Sequence, residues 1–436
     1  MRLRLIVAAS MLLGAALAAC GSGGSEGAGS KTLTYWATNQ GLTIDHDAKI
    51  LTPELQKFEQ QTGIKVNLEV IPWSDLYNRI LAAVSSGQGP DVLNIGNTWS
   101  ASLQATGAFV PFDDATMAAV GGKQKFVPTA LASTGAAGKT PTGVPLYSQA
   151  YALYYNKKFF AEAGIEKPPA TWEEFVADAK KLTVHGEGKP DRWGTTLQGA
   201  SVPALSHFAF FLGRQEGASL FDASGTPAFD SNAEFAAVRR YINLMAVDHV
   251  VAPNNAEYSK PTDDVNDFAV GKAATMLKQS NARGQLAKLG FSDYGVAEVP
   301  VPAVLPPGGK AIQSMVAGTN ISVFANTGKK DAALKLVNFL TSQAEQATLC
   351  KAYGLLPAVQ QAYDDPAFSD PDSQVFKRVL VDHAEPMPQI PKEGQMETLL
   401  GGALKELFAK AATQTVSDTD IRAALTSANQ QMKAAG

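Results

Sequence analysis

Apolar residues alternate or recur at helical spacing in an ordered way along the first part of the chain. Alternation over 32–36 predicts a short strand, and a second alternation over 64–70 predicts another. Between them, apolar residues recur every three or four positions up to Phe58, which predicts a helix. Gly63 is placed to end that helix, because glycine adopts the left-handed conformation common at helix ends.

The same pattern continues with a helix between Ser74 and Gly87 and a buried strand over 92–95. The predicted order is therefore β-α-β-α-β with short connections, which favours a parallel sheet flanked by helices. Ligands of such sheets bind beyond the carboxyl ends of the strands. We therefore expect a binding site around 36–40 and 96–99.

The second half of the chain is mainly helical in its pattern. Thr171 followed by Glu174 predicts a capping box at a helix start, and 232–245 and 329–340 are further amphipathic segments. No shift in composition marks a domain boundary after residue 30.

Composition and charge exclude several classes of function. The 436 residues are 45% hydrophobic and 18% charged, which is typical of a globular protein. The formal net charge is −4, and lysine and arginine occur in isolated pairs. Nucleic-acid binding requires clustered positive charge, so no nucleic-acid partner is expected. The five histidines lack the spacing of metal ligands, and we expect neither a metal nor a cofactor.

The N-terminus has the pattern of an export signal. Two arginines precede an apolar run over 5–17, which predicts a signal peptide over 1–19. The run ends in Leu-Ala-Ala-Cys, which resembles a bacterial lipobox and predicts lipidation of Cys20. The alternative is an ordinary signal peptide whose cleavage removes this cysteine. Residues 20–30 are rich in Gly and Ser and predict a flexible linker, and Cys350 is expected to be a buried thiol.

Several short motifs occur in the order found in one protein family. They are Phe-Glu-Gln-Gln-Thr-Gly-Ile-Lys-Val at 58–66, Gly-Pro-Asp-Val at 89–92, Val-Pro-Leu-Tyr at 144–147, Leu-Tyr-Tyr-Asn-Lys at 153–157, Pro-Ala-Thr-Trp-Glu-Glu-Phe at 169–175, Phe-Ala-Val-Gly-Lys-Ala-Ala at 268–274, Gly-Leu-Leu-Pro at 354–357 and Met-Pro-Gln-Ile-Pro at 387–391. As an ordered set they resemble the family 1 extracellular solute-binding proteins, a family that includes maltose-binding protein. The resemblance implies that this chain is a sugar-binding lipoprotein of an ABC importer.

The resemblance implies an α/β fold of the two-lobed periplasmic-binding-protein type II. Each lobe would be a mainly parallel sheet flanked by helices, with the ligand cleft between the lobes. Lobe one would comprise 31–147 plus 297–328, and lobe two 148–296 plus 329–436.

The candidate ligand-binding residues combine aromatic rings with amides and hydroxyls. Aromatic planes fit the apolar face of a sugar, and amides satisfy its hydroxyls in both directions. The candidates are Trp36, Asn39, Gln40, Asn97, Thr98, Trp99, Tyr147, Gln149, Phe208, Gln279, Asn281 and Asn320. The resemblance implies that a maltose-binding relative would often have acidic residues near the positions of Gln40, Thr98 and Gln149. The uncharged residues found here disfavour maltose itself as the ligand.

Some aromatic residues have a structural alternative. Phe208, near His207, could equally belong to the core, and Trp36 and Trp99 could pack instead of stacking on a ligand. Trp73 precedes a predicted helix start and is expected to be structural.

The resulting hypothesis is a receptor that captures a neutral di- or oligosaccharide by hinged closure and delivers it to an ABC permease. It would act as a monomer, lipid-anchored at the outer face of the bacterial cytoplasmic membrane. One alternative is a polyol phosphate or another small solute, for which Arg283 is the nearby cation. Another is a secreted glycoside hydrolase, which needs two opposed carboxylates. The resemblance implies a binding protein and not an enzyme.

Overall fold

The computed structural model describes residues 32–41, 43–186 and 191–435. The predicted signal peptide, Cys20 and the Gly/Ser linker lie outside the described residues. Within the described ranges, no helix is both long and apolar enough to cross a membrane.

Strands and helices alternate along the chain. The strands are β1 (Thr32–Thr38), β2 (Lys65–Ile71), β3 (Val92–Gly96), β4 (Val144–Gln149), β5 (Tyr151–Asn156), β6 (Thr275–Gln279), β7 (Tyr294–Ala297), β8 (Ser314–Met315), β9 (Ala317–Val323), β10 (Leu356–Pro357) and β11 (Ala384–Glu385). The α-helices are α1 (Ile44–Thr62), α2 (Trp73–Ser86), α3 (Ser100–Ala105), α4 (Asp114–Ala119), α5 (Pro128–Leu131), α6 (Lys157–Glu162), α7 (Trp172–Leu182), α8 (Val202–Gln215), α9 (Asn232–Ala246), α10 (Asp263–Ala269), α11 (Ala282–Lys288), α12 (Lys330–Leu340), α13 (Gln343–Tyr353), α14 (Pro371–Asp382), α15 (Glu393–Ala411) and α16 (Asp418–Ala434). Short 3-10 helices lie at Asn97–Trp99, Lys123–Lys125, Pro253–Glu257, Gln360–Asp364 and Pro366–Phe368.

The larger sheet has the strand order β10-β4-β9-β3-β1-β2. Strand β1 pairs in parallel with both β2 and β3, as the β-α-β-α-β pattern predicted. The predicted cap at Gly63 is confirmed, since this residue has a φ of 69° and its N–H donates to the Glu59 carbonyl. The capping box of Thr171 and Glu174 at the start of α7 is confirmed as well.

The α/β two-lobed fold agrees with the prediction, but its strand directions are more mixed than "mainly parallel". Strand β9 is antiparallel to β3 and β4, and β10 is antiparallel to β4. A separate three-stranded sheet, which we call the small sheet, has the order β6-β5-β7, and β5 is antiparallel to both of its neighbours. Two successive strands are parallel only when a crossover connection brings the chain back to the end of the sheet at which the first strand began. Strand β9 instead enters the large sheet after the chain has passed through the small sheet.

Two hydrophobic clusters account for most of the core. One joins α1, α12 and α13 to the large sheet, through side chains such as Leu51 and Leu334, and extends through Phe376 of α14 to Tyr154 of the small sheet. The other joins α8, α9, α15 and α16 to the small sheet, through Phe208 and Phe408 among others. Helices α12 and α13, which the predicted limits assign to lobe two, therefore share the core of the large sheet, whereas α14 contacts both sheets. The lobe limits themselves stay a prediction.

Candidate ligand-binding cleft

A cleft with a volume of about 310 Å³ lies between the large sheet and the elements around the small sheet. Its first wall is formed where β1 and β3 end, because the carboxyl ends of parallel neighbours meet at one edge of a sheet. Its second wall is formed by residues from α8, the end of β6, α11 and α15. Gln149, at the end of β4, and Thr319, on β9, lie between the two walls.

The loop after β1 is held in place by hydrogen bonds that engage many of its donor and acceptor groups. The Asn39 Oδ1 accepts from the Trp73 N–H at 2.8 Å, at the start of α2. The buried Asp47 accepts from the backbone N–H groups of Gln40 at 2.6 Å and of Gly41 at 3.1 Å. Burial raises the pKa of Asp47, while those two N–H donors act in the opposite direction. The Gln40 side chain donates to the Thr319 hydroxyl at 3.3 Å, which fixes it across the sheet edge.

Aromatic rings cover the neighbouring part of the first wall. Trp73 and Trp99 stack with ring centroids 4.9 Å apart and an interplanar angle of 25°, and Tyr77 packs against Trp99 at 4.9 Å. We call these three residues the aromatic shelf. Gly96 makes room for it, because a Cβ there would lie 2.9 Å from the Trp99 ring. Trp73 is 41% exposed, so one ring of the shelf is open to a ligand.

The second wall contains an imidazole and a carboxylate. His207 on α8 is hydrogen-bonded through Nδ1 to the Tyr151 hydroxyl at 3.0 Å. Its Nε2 lies 3.3 Å from Oε1 of Glu397 on α15. Glu393 lies one helical turn earlier and is fully buried, and burial together with the adjacent Glu397 raises its pKa well above the ordinary value. Gln279 and Asn281 complete this wall.

Three buried acceptors that line the cleft lack a hydrogen-bond partner within the described residues. They are Oε1 of Gln149, Oε1 of Gln285 and Oε1 of Glu397. The Glu397 atom is near His207, but its contact does not have hydrogen-bond geometry. A buried acceptor without a donor is costly, so these atoms are suited to accept from a ligand.

The structure brings most of the candidate residues into this cleft. Those that line it are Asn39, Gln40, Asn97, Thr98, Trp99, Gln149, Gln279 and Asn281. Asn97 is nearly buried, and its amide donates to the Val316 carbonyl at 2.6 Å, so its free capacity is small.

Four candidates lie elsewhere and do not line this cleft, in contrast to the prediction. Trp36 lies under the Arg79 guanidinium, 4.3 Å from the ring centroid, because alternate residues of β1 face opposite sides of the sheet. Tyr147 is buried edge-on against Tyr353, with ring centroids 5.8 Å apart. Neither residue lines the cleft.

Phe208 and Asn320 are internal for different reasons. Phe208 stacks on Tyr241 at 4.7 Å in the core around the small sheet. It therefore belongs to the core, which was the alternative to ligand contact. Asn320 lies on the central strand β9, where its amide donates to the Ser100 hydroxyl and the Ser133 carbonyl, each at 2.9 Å. These bonds hold the start of α3 and the segment after α5 beside the strand.

Sequence reasoning missed Trp73 and Glu397 as cleft residues. Trp73 was expected to be structural, but its ring faces the cleft at the first position of α2. Glu397 follows the Met-Pro-Gln-Ile-Pro motif at 387–391, and its spacing of four from Glu393 was the signal that could have found it.

The cation considered for a phosphate ligand lies outside this cleft. Arg283 donates to the Ser373 hydroxyl at 2.7 Å and pairs with Asp370 at 3.1 Å. It lines an adjoining cavity of about 580 Å³. Among the described residues that line the cleft itself there is neither lysine nor arginine. No cluster suited to a metal ion occurs within the described ranges.

Comparison with known proteins gives a consistent result. The sequence profile of the bacterial extracellular solute-binding proteins matches residues 45–347. A putative binding protein of Brucella abortus is 26% identical over 402 residues, covering 92% of this chain and 93% of the relative. The diacetylchitobiose binding protein DasA of Streptomyces coelicolor is 25% identical over 78% of each chain. The sn-glycerol-3-phosphate-binding periplasmic protein UgpB of Rhizobium meliloti is 27% identical over 67% of each.

Solved structures agree on the fold. A solute-binding protein of an ABC transporter from Thermotoga lettingae, bound with alpha-D-tagatose, superimposes with a TM-score of 0.78 at 21% identity and covers 93% of this chain and 99% of its own. Maltose-bound MalE3 of T. maritima gives a TM-score of 0.77 at 22% identity, with 92% and 99% covered.

Proposed function

Since the chain belongs to the bacterial extracellular solute-binding proteins, which are binding proteins and not enzymes, we propose that it captures an uncharged di- or oligosaccharide for an ABC importer. The observation that carries this proposal is the pairing, within one cleft, of an open aromatic ring with buried acceptors that lack donors. A sugar offers both an apolar face and a rim of hydroxyl donors, and it matches that pairing on both counts.

The aromatic shelf supports the apolar part of the match. Trp73 is already stacked on Trp99, so its ring is ordered before a ligand arrives. A preordered platform loses little conformational freedom on binding, which favours affinity. A sugar ring lying on Trp73 would cover the part of the ring that is exposed in this structure.

The unpartnered acceptors support the polar part. A hydroxyl that donates to Gln149 or Gln285 would satisfy a buried oxygen that has no donor within the described residues. A ligand of the same shape without hydroxyls would leave both oxygens unpaired, and a site of this kind discriminates strongly against such a ligand.

A polyol phosphate is the second candidate, because the relative UgpB is named for binding sn-glycerol 3-phosphate. A phosphate needs an arginine, a lysine or an open helix N-terminus. Arg283 is engaged with Asp370 and Ser373 outside the cleft, and a carboxylate lies inside it. These contacts favour the uncharged ligand.

We further propose that the ligand is enclosed by hinged closure of two lobes, as in a clamp whose closed form contacts the ligand from both sides. The proposed limits are 31–147 plus 297–328 for lobe one and the rest of the mature chain for lobe two. Because α12 and α13 (330–353) pack on the large sheet, that segment would move with lobe one. A permease in the membrane would receive the ligand from this receptor, which would act as a monomer.

The proposed location is the outer face of the cytoplasmic membrane, with Cys20 as the site of a lipid anchor. The support is the lipobox-like sequence that ends at Cys20 and the linker that follows it. Because the cleft is remote in sequence from residue 20, a Cys20→Ala variant should bind saccharide with unchanged affinity and be lost from the membrane fraction. A variant that stays in the membrane fraction would contradict the anchor.

The decisive experiment is mass spectrometry of the ligand that remains bound after purification without denaturation. It should be followed by calorimetry with maltotriose, N,N′-diacetylchitobiose and sn-glycerol 3-phosphate. We expect a retained neutral saccharide and heat of binding with at least one of the two saccharides. A retained phosphate ester, or binding of sn-glycerol 3-phosphate alone, would contradict the proposal.

A further inference from the structure

A pair of acidic side chains at the start of α15 has no lysine or arginine partner among the described residues of the cleft. Glu393 and Glu397 are four residues apart and lie on the same face of the helix. Glu393 is completely buried, and its carboxyl oxygens have no hydrogen-bond partner within the described residues other than the neighbouring Glu397. Glu397 is 8% exposed and lines the cleft.

The nearby cations are occupied elsewhere. Lys278, which precedes the cleft residue Gln279, pairs with the buried Asp264 at 2.8 and 2.9 Å. Arg283 pairs with Asp370 in the adjoining cavity. The group that approaches the Glu397 carboxylate is the His207 ring, which is also bound to the Tyr151 hydroxyl. The acidic pair is therefore not neutralised by lysine or arginine.

The positions of the two acids differ in a way that matters for a ligand. Burial raises the pKa of Glu393 well above its ordinary value, and the neighbouring Glu397 adds to this effect. Glu393 is thus favoured as the neutral acid behind the wall. Glu397 is the member of the pair that faces the cleft. The neutral Glu393 can donate one hydrogen bond to it, which leaves the remaining acceptor capacity of its carboxylate for a ligand.

We propose that Glu397 is a specificity-determining residue of this site, which accepts a hydrogen bond from a sugar hydroxyl and excludes ligands that carry a phosphate or carboxylate. The inference rests on the proposed function and narrows its ligand class to uncharged saccharides. A hydrogen bond to a carboxylate is stronger than one to a neutral acceptor, so the hydroxyl is held firmly.

The same carboxylate acts against an anion. Two like charges about 4 Å apart at a partly buried site repel strongly enough to weaken binding by on the order of a hundredfold or more. The cleft has no lysine or arginine among its described lining residues to offset that repulsion.

The test compares wild-type protein with Glu397→Gln, which keeps the shape of the side chain and removes its charge. Calorimetry with N,N′-diacetylchitobiose, maltotriose and sn-glycerol 3-phosphate measures both affinity and discrimination. We expect the wild type to bind a saccharide and to reject sn-glycerol 3-phosphate. In Glu397→Gln the saccharide affinity should fall by about tenfold, as for loss of a hydrogen bond to a charged group. The ratio of saccharide affinity to phosphate affinity should fall further.

Glu234→Gln is the matched control. Glu234 on α9 is also a fully buried glutamate whose oxygens lack partners within the described residues, but it does not line the cleft. Its substitution should leave both affinities unchanged. Thermal melting of each variant checks that the fold is retained.

The possible outcomes separate the two proposals. Saccharide binding that is unchanged in Glu397→Gln, or wild-type preference for sn-glycerol 3-phosphate, would overturn the role of Glu397. Failure of wild type to bind either saccharide would contradict the proposed function itself, and the role of Glu397 with it.

Discussion

The two walls of the cleft are built on different principles. The first wall presents the aromatic shelf and a loop whose polar groups are largely engaged with the protein, as in the bond from the Trp73 N–H to Asn39. The second wall presents His207 and Glu397, whose polar atoms are only partly satisfied. A rigid apolar platform recognises the shape of a ring, whereas a carboxylate without a lysine or arginine partner distinguishes ligands by charge. The first wall is therefore suited to supply affinity, and the second to supply selectivity.

The assembly of each wall explains this difference. Most of the first wall comes from the ends of two neighbouring parallel strands and the start of α2, which lie close together in the sequence. The second wall joins α8 to α15, two helices far apart in the chain that pack along each other in the core around the small sheet. Local sequence can specify the former, while the latter depends on long-range packing.

The largest expected effect on affinity comes from removing the exposed ring of the aromatic shelf, which tests whether the first wall supplies affinity. Trp73→Ala should weaken saccharide binding by about thirtyfold, or roughly 2 kcal/mol, because both the stacked ring and the apolar area it would cover are lost. Its stability should fall modestly, since Trp73 is 41% exposed but its stack on Trp99 is lost. Calorimetry with the saccharide that binds wild type, together with a thermal melt, measures both.

Trp36→Ala is the matched control for that variant. Trp36 lies on β1, whose carboxyl end borders the cleft, but it packs under Arg79 and does not line the cleft. It should lower the melting temperature and leave saccharide affinity unchanged. Equal losses of affinity in the two variants would show that the shelf has no special role.

A smaller effect is expected at the junction of the walls. Gln149→Ala should weaken saccharide binding by about fivefold, since one hydrogen bond of roughly 1 kcal/mol would be lost. The free protein should not be destabilised, because Oε1 of Gln149 has no partner to lose within the described residues.

Gln346 provides the opposite case among the buried glutamines. Its amide donates to the carbonyls of Leu146 and Leu340, and its Oε1 accepts from the Ala358 N–H at 2.9 Å. Gln346→Ala should therefore lower the stability and leave the affinity unchanged. If Gln149→Ala behaved in the same way as Gln346→Ala, a structural role for Gln149 would be the correct interpretation.

The smallest effect concerns the acid behind the second wall. The pKa of Glu393 is raised above 4.5 in the folded protein, so the folded state binds this proton more tightly than the unfolded chain does. Its stabilising contribution is present at low pH and is lost as the pH rises from about 4.5 through the folded-state pKa. Glu393→Gln lacks this titration and should gain stability relative to wild type as the pH rises, by about 2 °C in Tm.

Glu406→Gln, on the exposed face of the same helix, is the control for this pH series. The difference in Tm between this variant and wild type should not change with pH. A difference for Glu393→Gln that is equally flat would contradict the assignment of Glu393 as a buried neutral acid.

Several features of the fold followed from local sequence. Gly63 ends α1 because its backbone must be left-handed there, and Thr171 with Glu174 caps α7 through bonds within four residues. The alternation of β1 and β2 fixed their buried faces and hence their place in a parallel sheet. Antiparallel entry of β9 could not be read in this way, because strand direction depends on the path of the chain through the other lobe.

The residues of the candidate site likewise differ in how far local sequence predicts them. The positions after β1 and β3 were predictable, because the edge of a parallel sheet brings strand ends together whatever the rest of the fold does. Trp36 and Asn320 show the limit, since a residue in the right segment can face the opposite side of its strand or be used to hold a loop.

By itself the sequence determined the family, the β-α-β-α-β core and the amides at the strand ends. These depend on periodicity, on local backbone geometry and on motifs in a fixed order. Only the tertiary structure decided that Trp73 is open to the cleft and that Glu397 lies beside His207. The physical reason is that exposure and the pairing of charges are set by packing between distant helices, here α8 and α15, and no local pattern records which of their faces meet.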